Sequence, residues 1–449
     1  MERPMIDQNE LKTLQGALAT LADGFSDLPD FDYEYDWAPM AAVLQQAAER
    51  MQDNYPYEHP LYAGQMLKPP HPVARMAYAM SMWINPNNHA LDGGRASSAM
   101  ELECIAALGD MFGLDQPLGH LCGGGTMANL EALWVSGRLQ PGQTIVASSQ
   151  SHYTHSRISE VLGLNFAAIA VTPDGRMDVA ALEEQLKSGD VGTVVATLGT
   201  TGMGAVDPLS EILDLRQKYE FRVHVDAAYG GYFHIASKLG GDARKAFDRI
   251  SEVDSIVIDP HKHGLQPYGC GCILFRDPNV GVLYKQDSPY TYFSSAELHL
   301  GEITLECSRA GASAVALWAT QQLLPMNPGS EFAQALDKSL LAARALYECL
   351  DHSDNYRVLM EPQLDIVVYA VNAGDAVTAS EKASKVFDEA AKKDLHLALV
   401  SIPSSIVSHY WPELEINRDT VACLRSCLMK PEHLDWVNKI GEILDEVAP

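Results

Sequence analysis

Basic residues are scarce in this sequence: 32 lysines and arginines stand against 59 aspartates and glutamates, a formal net charge of −27. Nucleic acid and anionic membrane surfaces both require a basic footprint, so neither is expected as a partner. Long apolar runs are missing as well. No stretch approaches the roughly 20 residues that cross a bilayer. Met1 to Asp30 carries acids rather than the basic-then-apolar pattern of an export signal, and the cytoplasm is the expected location. Cysteine occurs eight times without the spacing of a disulfide framework. The one close pair, Cys270-Gly-Cys272, lacks the second pair that zinc would need, so no metal is expected. Internal repeats and low-complexity linkers are also absent. At 449 residues the chain exceeds what one growing core accommodates, and one large domain with smaller attachments is expected.

What is present is alternation. Strand-like runs near 144–148, 166–171, 192–198 and 222–226 alternate with helical patterns near 152–162, 178–187 and 208–219. Such alternation predicts an α/β fold with a mostly parallel sheet flanked by helices. Further strands are expected near 254–258 and 271–276, the second antiparallel. Helical periodicity beyond Trp318 runs to about Leu350. Strand-like Ile366–Val371 and Ala398–Ile402 follow, then a helix near 432–446, which together predict a small α+β C-terminal domain. At the other end, 6–22 and 38–51 repeat apolar residues at helical spacing, separated by an acidic and aromatic connector.

The chemistry gathers at two strand ends. Ser255-Ile-Val-Ile-Asp-Pro-His261-Lys262 is a short buried run stopped by proline, which leaves His261 and Lys262 at the rim of the sheet. Ligands of open α/β sheets sit there. Upstream, Arg222-Val-His-Val-Asp226-Ala-Ala228 ends on an acid followed by small residues. An isolated lysine is normally a solvated surface group. Paired with an acid at a neighbouring strand end, it meets the needs of pyridoxal phosphate (PLP): an amine for the Schiff base and a carboxylate for the pyridine nitrogen. Gly123-Gly-Gly125-Thr126 before a helical pattern offers close backbone approach and free N–H groups, an anion site.

His-Val-Asp226-Ala-Ala-Tyr followed by Asp-Pro-His-Lys262 resembles the group II PLP-dependent amino-acid decarboxylases, over about Pro60 to Trp318 and again near Arg425. The resemblance implies a fold type I, PLP-dependent transferase-like architecture. It implies a homodimer with shared active sites, an N-terminal segment (1–60) packed on the partner, a large PLP-binding domain (61–320) and a small C-terminal domain (321–449). It assigns Lys262 to the cofactor, Asp226 to the pyridine nitrogen, and Gly125 and Thr126 to the phosphate. His152 stacks on the ring opposite Ala228, Thr201 contacts the cofactor, and His261 bonds the phosphate or orients the linkage. His155 is read as structural. Asn88 and His89, in the turn-rich loop 85–94, and Arg425 are implied on the substrate side, with Arg309 supporting the site. Tyr290, with Tyr292 as the alternative, would return a proton to the substrate carbon. The expected reaction is decarboxylation of an L-amino acid to its amine. Aromatic character at Tyr290–Phe293 and Trp83 favours an aromatic substrate, with acidic amino acids the alternative. A carbon–carbon lyase or aldehyde synthase on the same scaffold, and a catalytically silent scaffold protein, are the competing readings.

Overall fold

The computed structural model describes residues 7–29, 34–285 and 304–449. Seven strands form the larger sheet: β1 (Leu118–Cys122), β2 (Thr144–Ser148), β3 (Asn165–Ile169), β4 (Val191–Thr197), β5 (Arg222–Asp226), β6 (Ser255–Ile258) and β7 (Gly271–Phe275). Their order across the sheet is β1-β7-β6-β5-β4-β2-β3. Strands β3, β2, β4, β5 and β6 run parallel, and β7 is antiparallel to both β6 and β1. The mostly parallel sheet, with its antiparallel strand at 271–275, therefore matches expectation. Its central strands are buried along their whole length, Val191–Thr197 and Ser255–Ile258 included. Helices on both faces remove the alternation that a half-exposed strand would show.

Several elements differ from the sequence reading. Leu118–Cys122 is a strand rather than the start of a glycine loop. Gly119 permits it, because a Cβ there would stand 2.7 Å from the Ile273 carbonyl oxygen across the pair. The helix expected over 208–219 is confined to Leu209–Leu215. The helical run beyond Trp318 is two helices, Gly311–Leu323 and Glu331–Asp351, broken where Pro325, Pro328 and Gly329 (φ +79°) intervene.

A second sheet of four antiparallel strands combines β8 (Tyr356–Val358), β9 (Ile366–Val371), β10 (Ala398–Pro403) and β11 (Thr420–Cys427) in the order β10-β11-β9-β8. The segment entering the large sheet is tied to this smaller one. Tyr62 bridges His396, and the Cys427 N–H donates to the Ala63 carbonyl (2.7 Å). The backbones pass so closely here that a Cβ on Gly64 would stand 2.7 Å from the Leu397 carbonyl oxygen. Two lysines complete the junction: Lys68 donates to the Met429 carbonyl (3.1 Å) and Lys430 to the Tyr62 carbonyl (2.7 Å). The helices Gln8–Asp23 and Trp37–Met51 contain no buried residue.

Burial pushes the Lys430 ammonium down to about 7, only partly opposed by Glu432. Its folded value lies below the unfolded value of about 10.4, so between pH 7 and 10 the unfolded chain holds the extra proton. Stability therefore rises with pH across that window, by up to about 1.4 kcal/mol per pH unit from this group. We expect Lys430→Met to flatten that rise in denaturation curves recorded at pH 7 and pH 9. An unchanged slope would contradict the assignment.

Candidate active site

Strands β4, β5 and β6 are parallel neighbours, so their C-terminal ends share one rim, with Thr197 paired to Asp226 and Asp226 to Val257. Strand β1 ends there too, since Cys122 faces Gly271 and Ile258 faces Cys272. A cleft of about 540 Å³ opens at this rim. Its lining includes Gly123, Gly124, Gly125, Thr126, His152, Thr201, Asp226, Ala228, His261 and Lys262. The amine, the acid, the glycine loop and the histidines, expected together from the sequence, meet in this one cleft.

Lys262 reaches the cleft from the turn after β6. Its Nζ lies 3.0 Å from Asp259 Oδ2. Asp259 Oδ1 is buried without a hydrogen-bond partner among the described residues. His261 Nδ1–H donates to the Cys270 carbonyl (2.8 Å), which fixes the ring over Tyr268 at a centroid distance of 4.8 Å.

Asp226 is buried at the end of β5 and surrounded by donors. Oδ1 accepts from the Ala228 N–H (3.1 Å), and Oδ2 accepts from His155 Nε2 (2.9 Å) and Asn129 Nδ2 (3.3 Å). Burial alone would raise this carboxyl. The hydrogen bond from His155, then the charge of Lys262 and the Ala228 N–H, outweigh it and hold Asp226 well below the usual carboxylate range. It faces the cleft as an ionised acceptor.

Opposite, the helix Gly125–Leu139 begins at Gly124 with no side-chain cap. The N–H groups of its first turn are thereby left for a ligand. Side chains are excluded from this approach. A Cβ on Gly125 would meet Asp259 Oδ2 at 2.8 Å, Gly124 has a φ of +144°, and a Cβ on Gly271 would lie 2.5 Å from the Gly124 backbone. Only glycine satisfies these contacts.

His152 follows β2, and its Nδ1 accepts from the Thr154 N–H (3.3 Å), so its proton resides on Nε2. Burial lowers this imidazole, and Lys262 lowers it further against the opposing pull of Asp226. Thr201 sits in the turn after β4, whose geometry is set by Asp207. That buried carboxylate accepts from the N–H groups of Met177 (2.7 Å) and Thr197 (2.8 Å), and burial still raises it to about 6.

The remaining candidates lie elsewhere. Asn88 and His89 are not among the described residues lining the cleft. The Asn88 side chain is buried, donates to Glu101 Oε2 (2.6 Å) and accepts from Ser97 Oγ, so its amide is committed within this chain. Arg309 holds the same loop by donating to the carbonyls of Asn88 (2.7 Å) and Leu121 (2.8 Å) and pairing with Glu101. Arg425, on β11, is buried, is not among the described residues lining the cleft, and donates to the Thr201 carbonyl (2.6 Å). It has no carboxylate partner among the described residues, and its Nε has no acceptor there. Tyr290 and Tyr292 lie outside the described residues. Sequence reasoning misses Asn129 and gives His155 no place at Asp226. The helical spacing of the Thr126-Met-Ala-Asn129 turn is the available signal for the first.

A family model described as the pyridoxal-dependent decarboxylase conserved domain matches residues 126–372. The L-tyrosine decarboxylase of Enterococcus faecium is 28% identical over 435 residues, covering 74% of this chain and 71% of that protein. A protein of Methanothermobacter thermautotrophicus, named as a probable L-tyrosine/L-aspartate decarboxylase, is 30% identical over 310 residues, covering 68% of this chain and 82% of its own. The crystal structure of Oryza sativa TDC with PLP and tryptamine superposes at a TM-score of 0.79 with 17% identity, covering 100% of both chains. The chain belongs to the pyridoxal-dependent decarboxylase family, and it is a carboxy-lyase acting on an amino acid with PLP as cofactor. The residues fit that group: a glycine cradle that a Cβ would fill, an uncapped helix start for a phosphate, and an ionised carboxylate with acceptor capacity to spare and an amine at the same rim.

Gly271→Ala tests the cradle. Its Cβ must displace the Gly124 backbone rather than a flexible side chain, so PLP affinity should fall at least about ten-fold, or about 1.4 kcal/mol, with far-UV circular dichroism unchanged. Undiminished affinity in a fluorescence titration would show that the phosphate binds elsewhere.

Proposed function

We propose that this chain decarboxylates an aromatic L-amino acid to its amine, with Lys262 as the cofactor-bearing amine. The observation carrying the substrate class is the lining of the cleft. Met127, Leu130, Tyr229 and Tyr268 line it, and among the described lining residues the basic side chains are only Lys262, His152 and His261. An acidic side chain would need a dedicated cation, and the cleft offers none beyond groups with other tasks. Acidic substrates remain the second reading, favoured by the aspartate in the name of the Methanothermobacter relative.

When bound, PLP supplies an electron sink that takes up the pair left on Cα as the Cα–carboxylate bond breaks and carbon dioxide departs. The protein's own groups do the rest. Asp226 accepts from the ring nitrogen and keeps a proton there. Gly125 and Thr126 present N–H groups to the phosphate. His152, neutral with its proton on Nε2, and Ala228 would confine the ring, while Thr201 and His261 would help to hold it in the cleft. Arg425 anchors the substrate carboxylate side through the Thr201 turn. Tyr290 returns the proton to Cα.

On this reading the protein is a cytoplasmic homodimer. Support comes from eight free cysteines and from the helix Trp37–Met51, whose Trp37, Val43, Leu44 and Met51 are all exposed. An apolar face of that size calls for cover, and a second subunit wrapped by residues 1–60 supplies it. The loop bearing Asn88 and His89 then contributes to the neighbouring site, beside a large domain over 61–320 and a small one over 321–449.

Carbon dioxide release from a panel of L-amino acids, with products read by mass spectrometry, tests the function. Amine from tyrosine, tryptophan or phenylalanine is expected. Amine only from glutamate, aspartate or cysteine sulfinate would overturn the substrate class, and aldehyde would overturn the reaction outcome. Tyr290→Phe should lower kcat by about 100-fold or more at similar KM, whereas Tyr292→Phe should not. The reverse pattern would transfer the proton-donor role to Tyr292.

A further inference from the structure

His155 is fully buried in the first turn of the helix Thr154–Leu162, yet its side chain makes one hydrogen bond among the described residues, Nε2 to Asp226 Oδ2 at 2.9 Å. Its Nδ1 is buried and has no partner among the described residues. A protonated ring would strand an N–H donor there, whereas a neutral ring leaves only an unused lone pair, the cheaper arrangement. The proton of the neutral ring then lies on Nε2 and points at Asp226.

A second donor chain arrives from the other side. Burial drives the His224 ring down to about 3, so it is neutral and carries one N–H. Asn129 donates through Nδ2 to the Gly125 carbonyl (2.8 Å) and to Asp226, which leaves its Oδ1 as the acceptor for His224 Nε2 (2.8 Å). His224 Nδ1 must then accept from Ser255 Oγ (2.8 Å). Every bond in the series Ser255, His224, Asn129 points toward Asp226, as does the bond from His155. With its own partners all donors, the carboxylate can only accept from whatever enters the cleft.

We propose that His155 is a positioning residue that locks Asp226 in its ionised, acceptor-only state and thereby keeps the ring nitrogen of the bound cofactor protonated. The inference rests on the reading that Asp226 faces that nitrogen. It assigns His155 a function that a packing residue of the same volume would not supply. The Asn129 bond is longer, and Ala228 serves the other oxygen, so His155 provides the short bond on Oδ2.

The test loads the purified protein with PLP labelled with 15N in the ring and reads the nitrogen chemical shift at neutral pH, alongside PLP affinity. Wild type and His155→Gln, which keeps a neutral donor near the Nε2 position, should both show the protonated-nitrogen shift. His155→Phe should move the shift toward the unprotonated value and weaken PLP binding by about ten-fold, equivalent to one pKa unit. Should His155→Phe fail to load, His155→Ala with and without added imidazole makes the same comparison, and imidazole should restore the protonated shift. A wild-type shift in His155→Phe, or in His155→Ala without imidazole, overturns the inference. Asp226→Asn separates the two levels. If it also leaves the shift unchanged, the placement of Asp226 against the ring nitrogen is wrong; if it alone moves the shift, only the role of His155 fails.

Discussion

The site depends on one buried negative charge. A carboxylate taken out of water at the end of a central strand is expensive, and left alone it would take up a proton. Asp226 stays ionised because donors from three different parts of the chain converge on it: the backbone of Ala228, the imidazole of His155 and the amide of Asn129. Each of those donors is itself held by the fold. Asn129 lies in the helix that starts at the glycine cradle, and His155 in the helix that follows β2. Keeping the charge therefore requires that both helices seat on the sheet, so the chemistry and the packing are one constraint.

The rim geometry follows from strand direction. Parallel β4, β5 and β6 bring their C-terminal ends to a common edge, and the antiparallel β7 lets β1 finish at the same edge with its glycines. An amine, an acid and an uncapped helix start therefore meet although they come from residues far apart in sequence. The close approach of Gly271 to Gly124 shows how little room the arrangement leaves, because two backbones pass where any side chain would collide.

Much of this was legible because it is written locally. Asp-Pro-His261-Lys262 stops a strand within a few residues, and the Gly123–Thr126 run precedes a helix, so period and punctuation suffice to place both. What escaped has non-local causes. His155 finds its partner 71 residues away, and nothing in its own helix announces that contact. Strand β11 carries Arg425 in a segment, Thr420–Cys427, whose mixed composition shows no clean alternation because most of it is buried. Leu118–Cys122 was hidden by Gly119, which reads as loop in sequence and serves as clearance in the sheet. For Asn88 the family resemblance implied a place on the substrate side, whereas Glu101 and Ser97 occupy its amide.

Three lysines compete for the role of cofactor-bearing amine. Burial lowers Lys68 to about 8 and Lys430 to about 7, which makes both chemically competent amines, but neither is among the described residues lining the cleft. Only Lys262 stands at the rim with Asp226 and the glycine cradle. Borohydride reduction of the PLP-loaded protein, followed by peptide mass mapping, decides between them. The pyridoxyl mass is expected on the peptide containing Lys262 and on no other. Label on Lys68 or Lys430 with Lys262 unmodified would contradict the central role given to Lys262.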